Sequence, residues 1–291
     1  MPNLKEIRNR IASVGSTMQI TSAMKMVSAA KLKRAQDAVT KLRPYAGKLK
    51  DILENLSAQT DSSENKFTKI NDSQSILIVA VTSNRGLCGG FNNNIIKKVQ
   101  QLIQNDFKDK DVKVLCLGKK VKDALKRTPN YFITDELSEV EDIFSNLTYD
   151  RVSVIAEALM NSYKEASFSK IIVCYNRFIN AATQAIEAEQ FLPVVDAKSE
   201  GSETLNEYIF EPSKEDLIAA LIPKSLKIQL FKALLDSSAA ENGARMTAMH
   251  KATDNANDLQ RSLKLTYNKA RQAAITNEIL EIVGGAEALN N

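Results

Sequence analysis

Glu241-Asn-Gly-Ala-Arg-Met-Thr-Ala-Met249 and, further on, Tyr267-Asn-Lys-Ala-Arg-Gln-Ala-Ala-Ile-Thr-Asn-Glu-Ile-Leu-Glu-Ile-Val-Gly-Gly-Ala286 read as parts of one very long helix. No proline interrupts residues 224–283, and good helix formers dominate. At 1.5 Å per residue those sixty positions would span roughly 90 Å, more than a domain of this mass encloses. A partner helix or an outside sleeve is required.

The partner is legible at the other end of the chain. Counting sevens from Leu4 places Leu4, Ile11, Met18, Lys25, Leu32, Val39, Ala46 and Leu53 at one core position. Ile7, Val14, Thr21, Ser28, Ala35, Leu42, Leu49 and Leu56 fall at the other, and thirteen of the sixteen are apolar. A seven-residue repeat sustained this long predicts a left-handed coiled coil. The three failures, Thr21, Lys25 and Ser28, cluster, while Met24, Met26 and Val27 fall off the seam, so this part of the rod is expected to address something besides its partner helix. Pro44 and Gly47 should bend or loosen the helix near its end.

The C-terminal helix answers with small seam residues, Ala252, Ala256, Leu259, Leu263, Thr266, Ala270 and Ala273. An antiparallel pairing that sets Pro44 level with residues 223–225 makes partners add to roughly 268, so Leu4 meets about Lys264. Residues from about 269 outward then project alone, with Ile275, Ile279, Ile282 and Val283 on one face and Leu280 on a second. An isolated helix should not leave such surface in water.

Between the rods lies a different pattern. Residues 57–74 are largely polar and without period, as a linker should be. Short β-branched runs at 75–83, 112–117, 171–175 and 183–189 alternate with helical stretches at 93–102, 119–126 and 150–164. That alternation predicts a Rossmann-like α/β domain with a mostly parallel sheet. The expected organisation is an N-terminal coiled-coil helix over 1–56, a linker over 57–74, a globular domain over 75–210 and a C-terminal coiled-coil helix with protruding tip over 211–291, entered near Pro212, Ser213 and Pro223.

Composition narrows the function. Residues 1–50 carry a net charge of +9, eleven Lys or Arg against Glu6 and Asp37, and the remainder carries −5. Such a basic rod is either a solvated face or a magnet for acidic surfaces. Nucleic-acid binding is the alternative class, but Tyr45 is the arm's sole aromatic. Cys88, Cys116 and Cys174 are widely spaced, which indicates neither a disulfide framework nor a zinc knuckle and fits a reducing compartment. The longest apolar runs are too short for a bilayer, and Met1-Pro-Asn-Leu-Lys-Glu carries no signal pattern.

Chemistry has few footholds. The turn Ser83-Asn-Arg-Gly-Leu-Cys-Gly-Gly-Phe-Asn92 lies after a strand and before a helix, where α/β sheets hold phosphate, and makes a small nucleotide-dependent enzyme over 75–190 a further alternative. Its glycines match neither the dinucleotide nor the Walker spacing, so a tight structural turn is the preferred reading. His250 is the only histidine, with only Asp254 as a nearby acid, and Glu139, Glu141 and Asp142 read as a solvated acidic face. Arg245, Arg271, Gln272, Thr276 and Glu278 are directional hydrogen-bonding groups on a helix that already needs an outside partner.

Residues 275–286, Ile275-Thr-Asn-Glu-Ile-Leu-Glu-Ile-Val-Gly-Gly-Ala286, carry a family resemblance, together with the 267–273 segment, Lys5-Glu-Ile-Arg-x-Arg-Ile-Ala-Ser13, Ile20-Thr-x-Ala-Met-Lys-Met-Val27 and Asn84-Arg-Gly-Leu-Cys-Gly-Gly90. From end to end the chain resembles the gamma subunit of bacterial-type F-type rotary ATP synthases. The resemblance implies a non-catalytic shaft without catalytic residues, metal or cofactor, turning inside three alpha and three beta subunits and riding on the membrane c-ring. Met24 and Lys25 would then lie near the acidic lever of beta, and Arg245 and Gln272 would hydrogen-bond its catch loop. Ile275, Thr276, Glu278, Ile279 and Ile282 would belong to the seated tip. Epsilon would contact the α/β domain, and Asn206, Glu207 and Tyr208 would belong to the foot. The implied location is peripheral, at the cytoplasmic face of a bacterial inner membrane, with no nucleic-acid partner. No redox-regulated cysteine pair of the chloroplast kind is present.

Overall fold

The computed structural model describes residues 4–58, 67–69, 71–134, 137, 140–194 and 214–289. Asn206, Glu207 and Tyr208, expected in the foot, lie outside the described residues, as do Glu139, Pro212 and Ser213. Two helices dominate, α1 over Leu4–Ala58 and α5 over Lys214–Leu289. Pro44 lies inside α1 and Pro223 inside α5. The chain forms two compact units, one of residues up to Ser28 together with those from Met246 onward, the other Ala29–Arg245.

In the first unit the starts of α1 and the far half of α5 run antiparallel. The Arg8 Nη2 donates to the Tyr267 hydroxyl at 2.8 Å, with the guanidinium 5.7 Å from the ring centre. Gly15 leaves room for Gln260, whose Nε2 would stand 3.0 Å from an added Cβ. The hydroxyls of Thr21 and Thr253 lie 2.8 Å apart. Partner numbers therefore add to 274 or 275, not to the expected 268. The physical reason is that a slide of seven residues keeps every seam residue in the seam, so apolar spacing cannot detect it. The prolines used to level the helices do not mark helix ends.

The polar seam residues are explained by their partners. Thr21 and Ser28 are buried, and each hydroxyl reaches a carbonyl one turn back, of Met18 at 3.1 Å and Met24 at 2.8 Å. A polar group held this way is tolerated in a seam. The register has a direct check: cysteines at 21 and 253 should oxidise to a disulfide, whereas cysteines at 21 and 247, the spacing expected from the prolines, should stay reduced.

The second unit is built on a five-stranded sheet in the order β3-β2-β1-β4-β5. The strands are β1 Ser75–Val81, β2 Asp111–Leu117, β3 Tyr131–Phe132, β4 Lys170–Phe178 and β5 Gln184–Leu192. All neighbours pair parallel except β5, which returns antiparallel along β4 with Cys174 opposite Ala188. Central β1, buried from Ile76 to Val81, shows why its sequence is continuously apolar: both faces are covered.

One face packs Leu77, Val79, Leu115, Ile171 and Val173 beneath α4 (Tyr149–Lys164) and α5. Helix α4 presents Val152, Ile155, Leu159 and Tyr163 to it, a spacing of three and four, and α5 contributes Leu226, Leu230 and Leu234. The other face carries Ile78, Ala80, Val114, Cys116 and Cys174 under α2 (Phe91–Gln101) and α3 (Lys119–Leu125). Phe67, from the segment expected to be a linker, is buried in the first of these cores, and its carbonyl accepts from the Val194 amide at 2.9 Å. Asn71 ties the same segment down by donating to the carbonyls of Tyr163 and Phe168. The two-residue β3 and the π-helical turn Leu102–Asp106 that widens the end of α2 were not expected from sequence.

Candidate partner interface

At the carboxyl end of β1 the 83–92 turn is held by a closed set of bonds. Asn92 Oδ1 accepts from the Ser83 amide at 2.9 Å, Ser83 Oγ donates to the Arg85 carbonyl at 2.6 Å, and Asn176 donates to the Phe91 carbonyl at 3.2 Å. Cys88 and Phe91 are buried against Ala240 of α5. Leu87, at φ 65°, is bent into the left-handed region and left 66% exposed. The glycine-rich sequence thus forms a tight packing turn, in agreement with the preferred sequence reading.

Arg245 meets this turn from α5. Its Nη1 donates to Glu241 Oε1 at 2.5 Å, and its Nη2 donates to the carbonyls of Arg85 and Gly86 at 3.1 and 3.2 Å. The side chains of Arg245 and Glu241 are 11% and 15% exposed. In the chain by itself the guanidinium thus makes three hydrogen bonds, one to Glu241 and two to the turn. Glu241 was not singled out from sequence, although its i,i+4 spacing to Arg245 is the signal that finds such a pair.

The remaining interface candidates lie in the other unit. Met24 and Lys25 are half-buried, while Ile20, Met26 and Val27 beside them are exposed at 60%, 65% and 58%. Along the tip, Ile275, Ile279, Leu280, Ile282 and Val283 are all exposed. Gln272 and Glu278 are exposed too, and the Thr276 hydroxyl donates to the Gln272 carbonyl at 2.9 Å. Five large apolar side chains on one exposed helix end form the kind of surface that marks a binding site.

A cluster that sequence reasoning missed lies between β4, β5 and α5. Tyr175 donates to Glu189 Oε2 at 3.0 Å, and Gln229 Nε2 donates to Glu189 Oε1 at 2.8 Å. Asp236 is buried with Oδ1 lacking a hydrogen-bond partner among the described residues. Burial raises its pKa above the ordinary 3.8, against the opposing fields of Lys232, Arg43 and Arg177, with Glu189 pushing it further up. A raised carboxyl favours the protonated form in the fold, so its stability contribution is present below 3.8 and lost as pH rises through the folded value. Asp236→Asn should accordingly raise Tm at pH 7–8 by about 2–4 °C, the gain disappearing below about pH 4. An unchanged Tm at neutral pH would show that the three cations already compensate the charge.

Against this geometry the relatives are decisive. A family profile described as ATP synthase matches residues 3–289. The ATP synthase gamma chain of Flavobacterium psychrophilum is 58% identical over 291 residues, covering 99% of both chains. The chain belongs to the ATP synthase gamma-chain family. Other gamma chains agree, that of Flavobacterium johnsoniae at 57% identity with both chains fully covered. Among solved structures, a central-stalk and c-ring assembly of the Tetrahymena thermophila mitochondrial ATP synthase contains a chain of 26% identity and TM-score 0.58, covering 80% of this chain and 99% of that one. A rotor chain of the Euglena gracilis mitochondrial ATP synthase shares the fold at TM-score 0.63 and 20% identity, covering 94% and 98%. A gamma chain of the F-type enzyme is its central rotor shaft and a non-catalytic subunit, the ATP chemistry residing on beta. No helix among the described residues is long and apolar enough to cross a membrane.

Proposed function

We propose that this gamma chain works through two surfaces, an apolar tip that turns within a hexamer of three alpha and three beta subunits and a basic α1 that faces the acidic lever of beta. The supporting observation is the exposed run Ile275, Ile279, Leu280, Ile282 and Val283 on a helix end that no apolar side chain among the described residues covers. Gln272, Thr276 and Glu278 supply directional contacts among these anchors, and Met24 and Lys25 supply the contact on α1. Different angular positions of an asymmetric rod favour different beta conformations, because only differential contact free energy shifts a conformational equilibrium. The α/β domain, expected over 75–210, is the epsilon-binding part, and Asn206, Glu207 and Tyr208 belong to the foot on the c-ring. The complex sits at the cytoplasmic face of a bacterial inner membrane, and this chain is peripheral to it.

Mixing the chain with alpha and beta subunits tests the reading. A stable complex with restored ATP hydrolysis is expected, and a Gln272→Ala chain should assemble but hydrolyse more slowly. Failure of the wild-type chain to assemble, alongside salt-dependent RNA binding, would overturn it.

A further inference from the structure

The 240–245 segment of α5 is gripped from two sides by the α/β domain. On one side Gly243 touches the β4–β5 connection: a Cβ there would stand 3.3 Å from the Cα and carbonyl oxygen of Ala181 and 3.4 Å from Phe178. On the other, Ala240 packs on Cys88 and Phe91, and Arg245 bonds to the carbonyls of Arg85 and Gly86. These carbonyls belong to a turn whose Leu87 and Gly89 both have positive φ, 65° and 59°. Glycine takes such a φ freely, but a leucine there persists only where its surroundings over-determine it. Glu241 orients the fork by holding Nη1, which leaves Nη2 aimed at the turn.

We propose that Arg245 is a positioning residue whose guanidinium, oriented by Glu241, staples the 83–92 turn to α5, adding to the core packing of Leu226, Leu230 and Leu234 a directional junction through which the α/β sheet and the shaft helix exchange torque. The torque clause rests on the rotor role; the staple does not. A fork donating to two carbonyls holds direction as well as distance, whereas lysine is a point donor on a flexible stem and reaches one carbonyl at a time. Arginine is therefore required in full, and lysine serves partly.

Cys88 reports on the staple because it is buried in the turn, while Cys116 and Cys174 are buried in the sheet and serve as internal references. Thiol labelling of the full-length chain, read per cysteine by mass spectrometry, should show Cys88 reacting at least about tenfold faster in Arg245→Ala, the change expected when charge-assisted bonds are removed from a local opening. Arg245→Lys should fall between, Glu241→Gln should loosen Cys88 as well, and Cys116 and Cys174 should stay protected in all three. Unchanged Cys88 protection would overturn the staple, and so would an equal rise at all three cysteines, which would mean that Arg245 supports the whole domain. In complexes with alpha and beta, Arg245→Ala should lower coupled activity in step with Cys88 exposure. Lost coupling with Cys88 still protected would assign Arg245 to a partner contact instead. Failure of the wild-type chain to assemble would count against the rotor role and leave the labelling result standing.

Discussion

Gly118→Ala should destabilise the chain by about 3 kcal/mol or more, enough to leave much of it insoluble, given the 5–15 kcal/mol on which a typical fold stands. Gly118 sits at φ 109° and ψ 147°, a conformation essentially confined to glycine. An added Cβ would fall 2.2 Å from the Thr82 carbonyl oxygen and 2.8 Å from its carbon. That neighbour is backbone and cannot swing aside. It is also committed locally, since the Thr82 amide donates to the Leu117 carbonyl at 2.8 Å and its hydroxyl accepts from the Val121 amide at 3.1 Å. The glycine thus lets the ends of β1 and β2 touch while α3 departs. Gly89 is the control: its φ is 59°, but an added Cβ meets nothing within 4 Å, so Gly89→Ala should cost only about 1–2 kcal/mol. Equal thermal shifts in the two variants would contradict this reading of the Thr82 contact.

Replacing Ile275, Ile279 and Ile282 together by glutamine should do the opposite, leaving the isolated chain unchanged and weakening its hold on the hexamer. The three side chains are 46%, 55% and 71% exposed, so little of the chain's own stability depends on them, and glutamine keeps the helix propensity. If the tip is seated in the hexamer as proposed, each isoleucine gives up there the water it meets in the free chain. At about 1 kcal/mol apiece for partial burial, the triple variant should bind roughly 100-fold less tightly. Titration of labelled chain into alpha and beta subunits measures the loss, and thermal unfolding of the free chain measures the reference. A fall in Tm by several degrees with unchanged affinity would place these residues in the chain's own packing.

How much of this is legible in the sequence differs from element to element. The two long helices are, because thirteen apolar residues on a seven-residue repeat leave little else for α1 to be. The sheet is also legible as mostly parallel, since runs such as Ser75–Val81 alternate with helical stretches. That β5 returns antiparallel along β4 depends on a short connection near Ala181, which apolar patterning does not describe. Register was hidden for a different reason. Sliding α5 by seven residues leaves its small seam residues in the seam, and the details that break this degeneracy, Thr21 with Thr253 and Arg8 with Tyr267, are pairs separated by more than 200 residues. Thr21 and Ser28 counted as failures in an apolar tally, yet their hydroxyls are satisfied within the helix itself.

The candidate surfaces divide along the same line. The tip was readable because exposure of periodic isoleucines follows from the absence of a helix to cover them. Arg245 reads from sequence as a directional donor, but its acceptors, the carbonyls of Arg85 and Gly86, are backbone atoms about 160 residues away in a turn shaped by Leu87 and Gly89. Asp236 carries no signal in the sequence, because on a helix a single acid reads as solvated unless the faces packed around it are known.

The central claim is that this chain turns as a shaft, and rotation is the measurement closest to it. A probe attached to the chain within an immobilised complex of alpha and beta subunits should rotate in one direction on addition of ATP, with three dwells per turn, one for each beta subunit. Steady ATP hydrolysis beneath a stationary probe would contradict the account.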